Sequence, residues 1–187
     1  MLTPLSLCTQ AMIRYALYPY IPKRRLRRAS FEELEVQFRI LGFKDGLNIY
    51  TRWAVREFAR AMTGMDLHEA TIVCIPASTR YSNVRRWKRF SDLLCRATGA
   101  TDGFPHVHVS GSRTRVHITG DHSVCQNIKH YVDIEHEFFR GRTVIVIDDI
   151  CTTGQTSLTF VEALRNAGAT VPVVICLAKT QPYRSIR

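Results

Sequence analysis

Two adjacent carboxylates, Asp148 and Asp149, end the apolar run Val144-Ile145-Val146-Ile147 and precede Ile150-Cys151-Thr152-Thr153-Gly154-Gln155-Thr156. Four β-branched residues in succession predict a short strand buried on both faces. An unpaired ionised carboxylate is costly to bury, so the reading places both acids at that strand's exposed C-terminal end. A hydroxyl-rich turn around a glycine follows, and Ser157 to Ala167 predicts a helix. Such a turn supplies backbone N–H and hydroxyl donors for a phosphate. Acids for hydroxyls or a metal, followed by donors for an anion, suit a phosphorylated sugar.

Other residues with chemical potential lie in two further loops. Ala77-Ser78-Thr79-Arg80 follows the apolar run Thr71–Ile75 and Pro76 as a tight polar turn. Residues 110–122 hold Gly111, Arg113, Arg115, Gly120 and Asp121, a composition that suits a mobile loop. His106 and His108 alternate with valines as in a strand, with no third ligand nearby in sequence, so metal binding there is not expected. The six cysteines (8, 74, 95, 125, 151 and 176) are scattered without a Cys-x-x-Cys pair. They read as reduced thiols of a cytoplasmic protein, with Cys74 and Cys176 serving as small hydrophobes inside strands.

Around these residues the chain alternates strand and helix. Ser30-Phe31-Glu32-Glu33 forms a capping-box pattern, after which Phe31, Leu34, Phe38 and Leu41 recur on one helical face, and Gly42 suits the stop. A second helix spans about Asn48 to Met62 with Val55, Phe58, Ala59 and Met62 on its apolar side and Trp53 as a packing residue. A third, basic helix runs from about Ser82 to Thr98, with Trp87, Phe90, Leu94 and Ala97 on one side and Gly99 as C-cap. Val124, Ile128 and Tyr131 suggest a short helix, and Val171–Leu177 a last buried strand in which Pro172 marks an edge or a strand start. Leu17–Pro22 is extended, because each proline disfavours helix before it.

Fully apolar strands alternating with helices imply an α/β fold, a mostly parallel sheet covered by helices on both faces. Ligands of such sheets bind beyond the strand C-termini, so the loops at 76–80, 110–122 and 148–156 share one rim. The expected division is an N-terminal hood over residues 1–46 and a core domain over 47–187. No apolar run reaches the ~20 residues of a membrane-spanning helix, and Gln10 and Arg14 interrupt the N-terminal segment, which does not read as a secretory signal. The net charge of +10 favours polyanionic partners, phosphate esters or nucleic acid. The basic stretches 23–28 and 80–89 are the candidate nucleic-acid surfaces, with a solvated surface as the plain alternative.

Val144–Thr156 resembles the phosphoribosyl pyrophosphate (PRPP) signature of type I phosphoribosyltransferases: an apolar strand, two acids, then Thr-Gly-x-Thr. Ala163–Ala169 resembles the helix and turn that follow it, and Ile72–Arg80 the strand and pyrophosphate loop that precede it. Phe43-Lys44-Asp45-Gly46 and the arginine-rich segment after Pro76 bring the likeness nearest to the ComF-like (competence protein) branch, without its N-terminal zinc-binding cysteines. The resemblance implies a Rossmann-like sheet and a Mg²⁺-dependent transfer of phosphoribosyl from PRPP to a nucleobase-like nitrogen, with pyrophosphate released. By that resemblance Asp148 and Asp149 take the ribose hydroxyls and touch Mg²⁺, directly or through water. Thr152, Thr153, Gly154, Gln155 and Thr156 hold the 5′-phosphate, and Ala77, Ser78, Thr79 and Arg80 the pyrophosphate. Arg113 and Arg115 would close over the departing group as catalytic residues beside the two acids, and Cys151 is not a nucleophile. Purine-salvage members often carry an acid where this chain has Thr152, which argues against a 6-oxopurine acceptor. The same resemblance covers PRPP-binding accessory proteins that act on DNA without turnover, and a homodimer is compatible with it.

Overall fold

The computed structural model describes residues 12–22, 26–27, 29–110 and 131–180. Among these residues seven strands and six α-helices, in chain order, are β1 (Ile13–Tyr20), α1 (Phe31–Lys44), α2 (Asn48–Ala61), β2 (Ala70–Cys74), α3 (Arg80–Asn83), α4 (Arg89–Thr98), β3 (Thr101–Asp102), β4 (Val107–Val109), β5 (Val132–Ile134), α5 (His136–Phe139), β6 (Thr143–Cys151), α6 (Gln155–Asn166) and β7 (Thr170–Thr180). A wide, π-type turn, Val84–Lys88, joins α3 to α4 without a break. Five strands form one sheet in the order β1-β7-β6-β2-β3, and every neighbouring pair is parallel. β4 and β5 form a separate antiparallel pair.

Strand alternation sorts the core into two layers. Ile72, Cys74, Ile145, Ile147, Val173 and Ile175 face α1, α2 and α4, where Phe43, Phe58, Trp87 and Phe90 pack together. Val73, Ile75, Val144, Val146 and Val174 face α6 and the β4–β5 hairpin, against Phe139, Phe160, Val161 and Leu164. Period-two strands with both sets apolar require such a double cover, as the sequence predicts.

Three local expectations change. The stripe Phe31, Leu34, Phe38 and Leu41 is exposed, with Phe31 at 81%. The helix turns Gln37, Ile40 and Phe43 inward instead. Gln37 is buried because its amide clasps the Ile21 backbone in both directions, donating to the carbonyl at 2.8 Å and accepting from the N–H at 2.9 Å. Gly42 does not stop α1. It lies inside the helix, where a side chain would collide with the Tyr50 ring of α2. Ala97 faces solvent while Trp87, Phe90 and Leu94 are buried. Of the two readings of Pro172, an edge or a strand start, the second holds, since β7 is central and begins at Thr170. Pro172 is tolerated near its start because the pairing with β6 slips there by one residue between Thr143 and Ile145. The helix suggested around 124–131 lies outside the described residues apart from Tyr131, as do Arg113 and Arg115.

Candidate active site

β6 continues two residues beyond the acids to Cys151, so Asp148 and Asp149 sit within the strand and not past its end. Both are buried, against expectation, because partners meet them. Successive strand residues face opposite layers, and these two acids do so. Asp148 continues the Val144–Val146 side, where the Ser157 hydroxyl of α6 donates to its Oδ2 at 3.3 Å. β2 stops at Cys74, and the Asp149 N–H donates to Asp148 Oδ1 at 2.8 Å. Burial and then the charge of Asp149 push the Asp148 carboxyl up to about 7. Asp149 continues the Ile145–Ile147 side. Its Oδ1 accepts from the Ile150 N–H at 2.6 Å, and its Oδ2 pairs with Arg86 Nη1 at 2.7 Å.

Arg86 is the residue that sequence reading missed, having taken it as one member of a basic stretch. Its side chain is 12% exposed and its Nε donates to the Lys44 carbonyl at 2.9 Å. The neighbouring Arg85 lies 3.6 Å from Asp45, and a side chain at Gly46 would run into the Arg85 backbone. The Phe43–Gly46 turn and the wide turn at 84–88 are therefore one interlocked unit, anchored by the Phe43–Trp87 ring contact at 5.4 Å. Wide π-type turns recur at functional sites, and that geometry was the signal available beyond charge.

The 152–156 loop is the opposite kind of structure. Gly154 adopts the left-handed conformation (φ 80°) at the head of α6, and a Cβ there would fall on the Arg14 guanidinium of β1. Thr152, Thr153 and Gln155 are exposed, and only a long 3.4 Å bond from the Gln155 N–H to Thr153 Oγ1 ties the loop to its own side chains. Arg14 is exposed and pairs with no carboxylate among the described residues. Beyond Pro76, the Ala77 N–H donates to Asn83 Oδ1 at 2.9 Å, and the Thr79 hydroxyl accepts from the Ser82 N–H, capping α3. Ser78 and Arg80 are exposed. Arg80 and Asn83 face His108 and Ser110 across a cavity of about 400 Å³.

His106 and His108 do meet a third group, Glu135, brought from β5's end by the hairpin. One carboxylate oxygen reaches His106 Nδ1 at 2.7 Å and the other His108 Nε2 at 2.6 Å. The bonds from His106 and then His108 hold the Glu135 carboxyl below its usual range. Glu135 bridges the rings rather than converging with them, and no cluster of three or more His, Cys, Asp or Glu able to hold a metal occurs among the described residues. Cys74, Cys95, Cys151 and Cys176 are buried free thiols, and burial pushes the thiol of Cys95 up to about 12 and those of Cys74 and Cys176 upward as well.

Residues 110–186, which contain both acids and the phosphate-type loop, match the family model of the phosphoribosyl transferase domain. This part of the chain is similar to phosphoribosyl transferase domains. Orotate phosphoribosyltransferase of Natronomonas pharaonis is 57% identical over 42 residues, 22% of this chain and 24% of that protein. Its counterpart in Staphylococcus saprophyticus is 33% identical over 88 residues, 47% of this chain and 43% of the relative. The DNA utilization protein YhgH of Escherichia coli is 30% identical over 129 residues, 65% of this chain and 54% of that protein. The chain thus spans about half the length, or less, of the curated relatives it matches. Among solved structures, UMP synthase of Leishmania donovani aligns with a TM-score of 0.42 at 18% identity, covering 70% of this chain and 22% of that one. The type I phosphoribosyltransferase resemblance read from Val144–Thr156 stands, and its ComF-like side agrees with the DNA utilization relatives. No helix among the described residues is long and apolar enough to cross a membrane.

Proposed function

We propose that the chain binds PRPP and transfers its phosphoribosyl group to a nitrogen acceptor, releasing pyrophosphate. The observation that carries this reading is the juxtaposition, on one strand–turn–helix of the segment similar to phosphoribosyl transferase domains, of the paired acids and the open loop at the head of α6. The Asp148 and Asp149 oxygens retain lone pairs for the ribose hydroxyls. The N–H groups at the head of α6 and the hydroxyls of Thr152, Thr153 and Thr156 take the 5′-phosphate, helped by the helix dipole. Arg14, beside Gly154, adds a cation to that end. Ser78 and Arg80 take the pyrophosphate with the Ser78–Thr79 backbone, the Ala77 N–H being held by Asn83, and Arg113 and Arg115 close over it. Asp148 and Asp149 are hard oxygen donors that fit Mg²⁺, directly or through water, and such an ion would neutralise charge on the departing pyrophosphate. Displacement at the anomeric carbon needs positioning and charge neutralisation more than a protein nucleophile, consistent with buried Cys151 having no role.

The test is thermal stabilisation by PRPP with Mg²⁺, followed by pyrophosphate release across a panel of nucleobases and related acceptors. Asp148→Asn combined with Asp149→Asn should abolish the stabilisation while circular dichroism still reports a folded chain. Undiminished stabilisation would refute the ribose assignment. A second reading, a PRPP-binding protein that acts on DNA without turnover, draws on the YhgH relatives and on exposed Arg80, Arg85, Lys88 and Arg89. Salt-dependent binding to single-stranded DNA without pyrophosphate release from any acceptor would favour it.

A further inference from the structure

Arg86 is placed where neither the signature nor a surface role accounts for it. A guanidinium presents five N–H donors in a rigid fork. Here Nη1 lies 2.7 Å from Asp149 Oδ2 as an ion pair that leaves this oxygen without an aligned hydrogen bond, Nε donates to the Lys44 carbonyl, and the Nη2 group makes no hydrogen bond among the described residues. Both ends of the Asp149 pair are close to nine-tenths covered, 12% and 11% exposed, so the attraction is far less screened than in a surface pair. The Lys44 carbonyl is not a loose end. It belongs to a turn whose Asp45, Gly46 and Leu47 amides donate to Leu41, Phe43 and Gly42 carbonyls at 2.9, 2.8 and 3.0 Å. One side chain therefore spans from an acid of the candidate site to the junction of α1 and α2, and Lys44 and Arg86 are 42 residues apart in sequence.

We propose that Arg86 is a positioning residue that holds Asp149 for its ligand and couples the Lys44–Leu47 turn to the binding site. This inference rests on the reading of Asp149 as a PRPP-binding acid. With the site empty, Arg86 offsets the charge of an acid adjacent to a second one. When a ribose diol or a metal engages Asp149, the carboxylate's orientation and its attraction for the guanidinium change, and Arg86 redistributes its donors between that carboxylate, the ligand's anionic groups and the Lys44 carbonyl. Because the fork is planar and stiff, movement at one edge moves the other. The α1–α2 turn then tightens or loosens with the site although it contributes no ligand atom of its own. Lysine would preserve the charge but could not hold the ion pair and the Lys44 carbonyl at once through one rigid fork.

Hydrogen exchange on the full chain, with and without PRPP and Mg²⁺, tests this. In the unaltered protein the ligand should slow exchange at 148–156 and also change it at the Asp45, Gly46 and Leu47 amides. Arg86→Lys should keep the response at 152–156, lose the response at 45–47, and weaken PRPP about tenfold. Arg86→Gln should lose both the distant response and more of the affinity. Asp45→Asn, which removes only the 3.6 Å contact to Arg85 on an exposed carboxylate, is the control and should respond like the unaltered protein. A ligand response at 45–47 that survives in Arg86→Lys, or one that vanishes in Asp45→Asn, would overturn the proposal. No response at 148–156 in the unaltered protein would instead sink the PRPP reading itself, and the two failures are distinguishable.

Discussion

The two ends of the candidate site are built on opposite plans. At the acid end, Asp148 and Asp149 are buried and already partnered, by Ser157 and by Arg86. At the loop end, Thr152, Thr153 and Gln155 are exposed, Gly154 holds a left-handed turn, and the nearby Arg14 has no carboxylate among the described residues. The difference follows from what each end must receive. Two neighbouring carboxylates repel and resist burial, so the protein pairs them before any ligand arrives, with Asp149 Oδ2 left to an ion pair and no hydrogen bond. A helix head with a nearby cation is positive on both counts, and it is an arriving anion that relieves it. One end is finished in the folded chain, while the other is completed by its ligand.

The largest expected effect separates the ends by stability. Asp149→Ala leaves a nearly covered guanidinium without its counter-charge and should lower unfolding stability by about 3 kcal/mol. Thr153→Ala should change it by less than about 0.5 kcal/mol. Chemical denaturation of both variants measures the contrast, and equal losses would erase the distinction between a finished and an unfinished end.

Next comes a contrast in ligand affinity. Arg14→Gln should weaken ribose 5-phosphate about tenfold, as loss of a charge-assisted contact does, while leaving pyrophosphate nearly unchanged. Calorimetric titration with each compound checks it. A uniform loss for both would place Arg14 in the general field of the protein and not at the 5′-phosphate.

The smallest effect is a slope. In the folded protein the Asp148 carboxyl rises from 3.8 to about 7, so the folded state holds that proton more tightly than the unfolded one. Its contribution to stability is complete below about 3.8 and is lost as pH climbs through about 7. Asp148→Asn should flatten the fall in melting temperature of the ligand-free protein between pH 5 and pH 8. An unchanged slope would mean that Asp148 does not hold its proton more tightly in the folded protein.

Much of this was legible in the residues. The strand–acid–hydroxyl–helix order of Val144–Thr156 named its own elements, because buried parallel strands leave an uninterrupted apolar run and glycine marks a left-handed turn. Helices α1 and α2 were legible from capping and spacing, but the buried side of α1 was not. Its apolar residues lie on both faces, and the choice was settled by a polar residue, Gln37, satisfying a backbone 16 residues away. Arg86 and Arg14 escaped for the same reason. A charged side chain in a basic stretch reads as surface until the fold shows which distant carbonyl, carboxylate or glycine it meets. The burial of Asp148 and Asp149 was misjudged because desolvation was weighed without the partners that tertiary structure supplies.

Adjacent acids in a strand point to opposite sides of their sheet, and here one is claimed by α6 and the other by the segment leading into α4. The two helical layers of the molecule thus converge, through a single peptide link, on neighbouring atoms. A substitution deep in either layer that shifts its helix by a fraction of an ångström would change the spacing between these carboxylates without touching them. The site's geometry is therefore a running average of two separate packings, and variants that repack one layer alone should alter ligand affinity before they alter the fold.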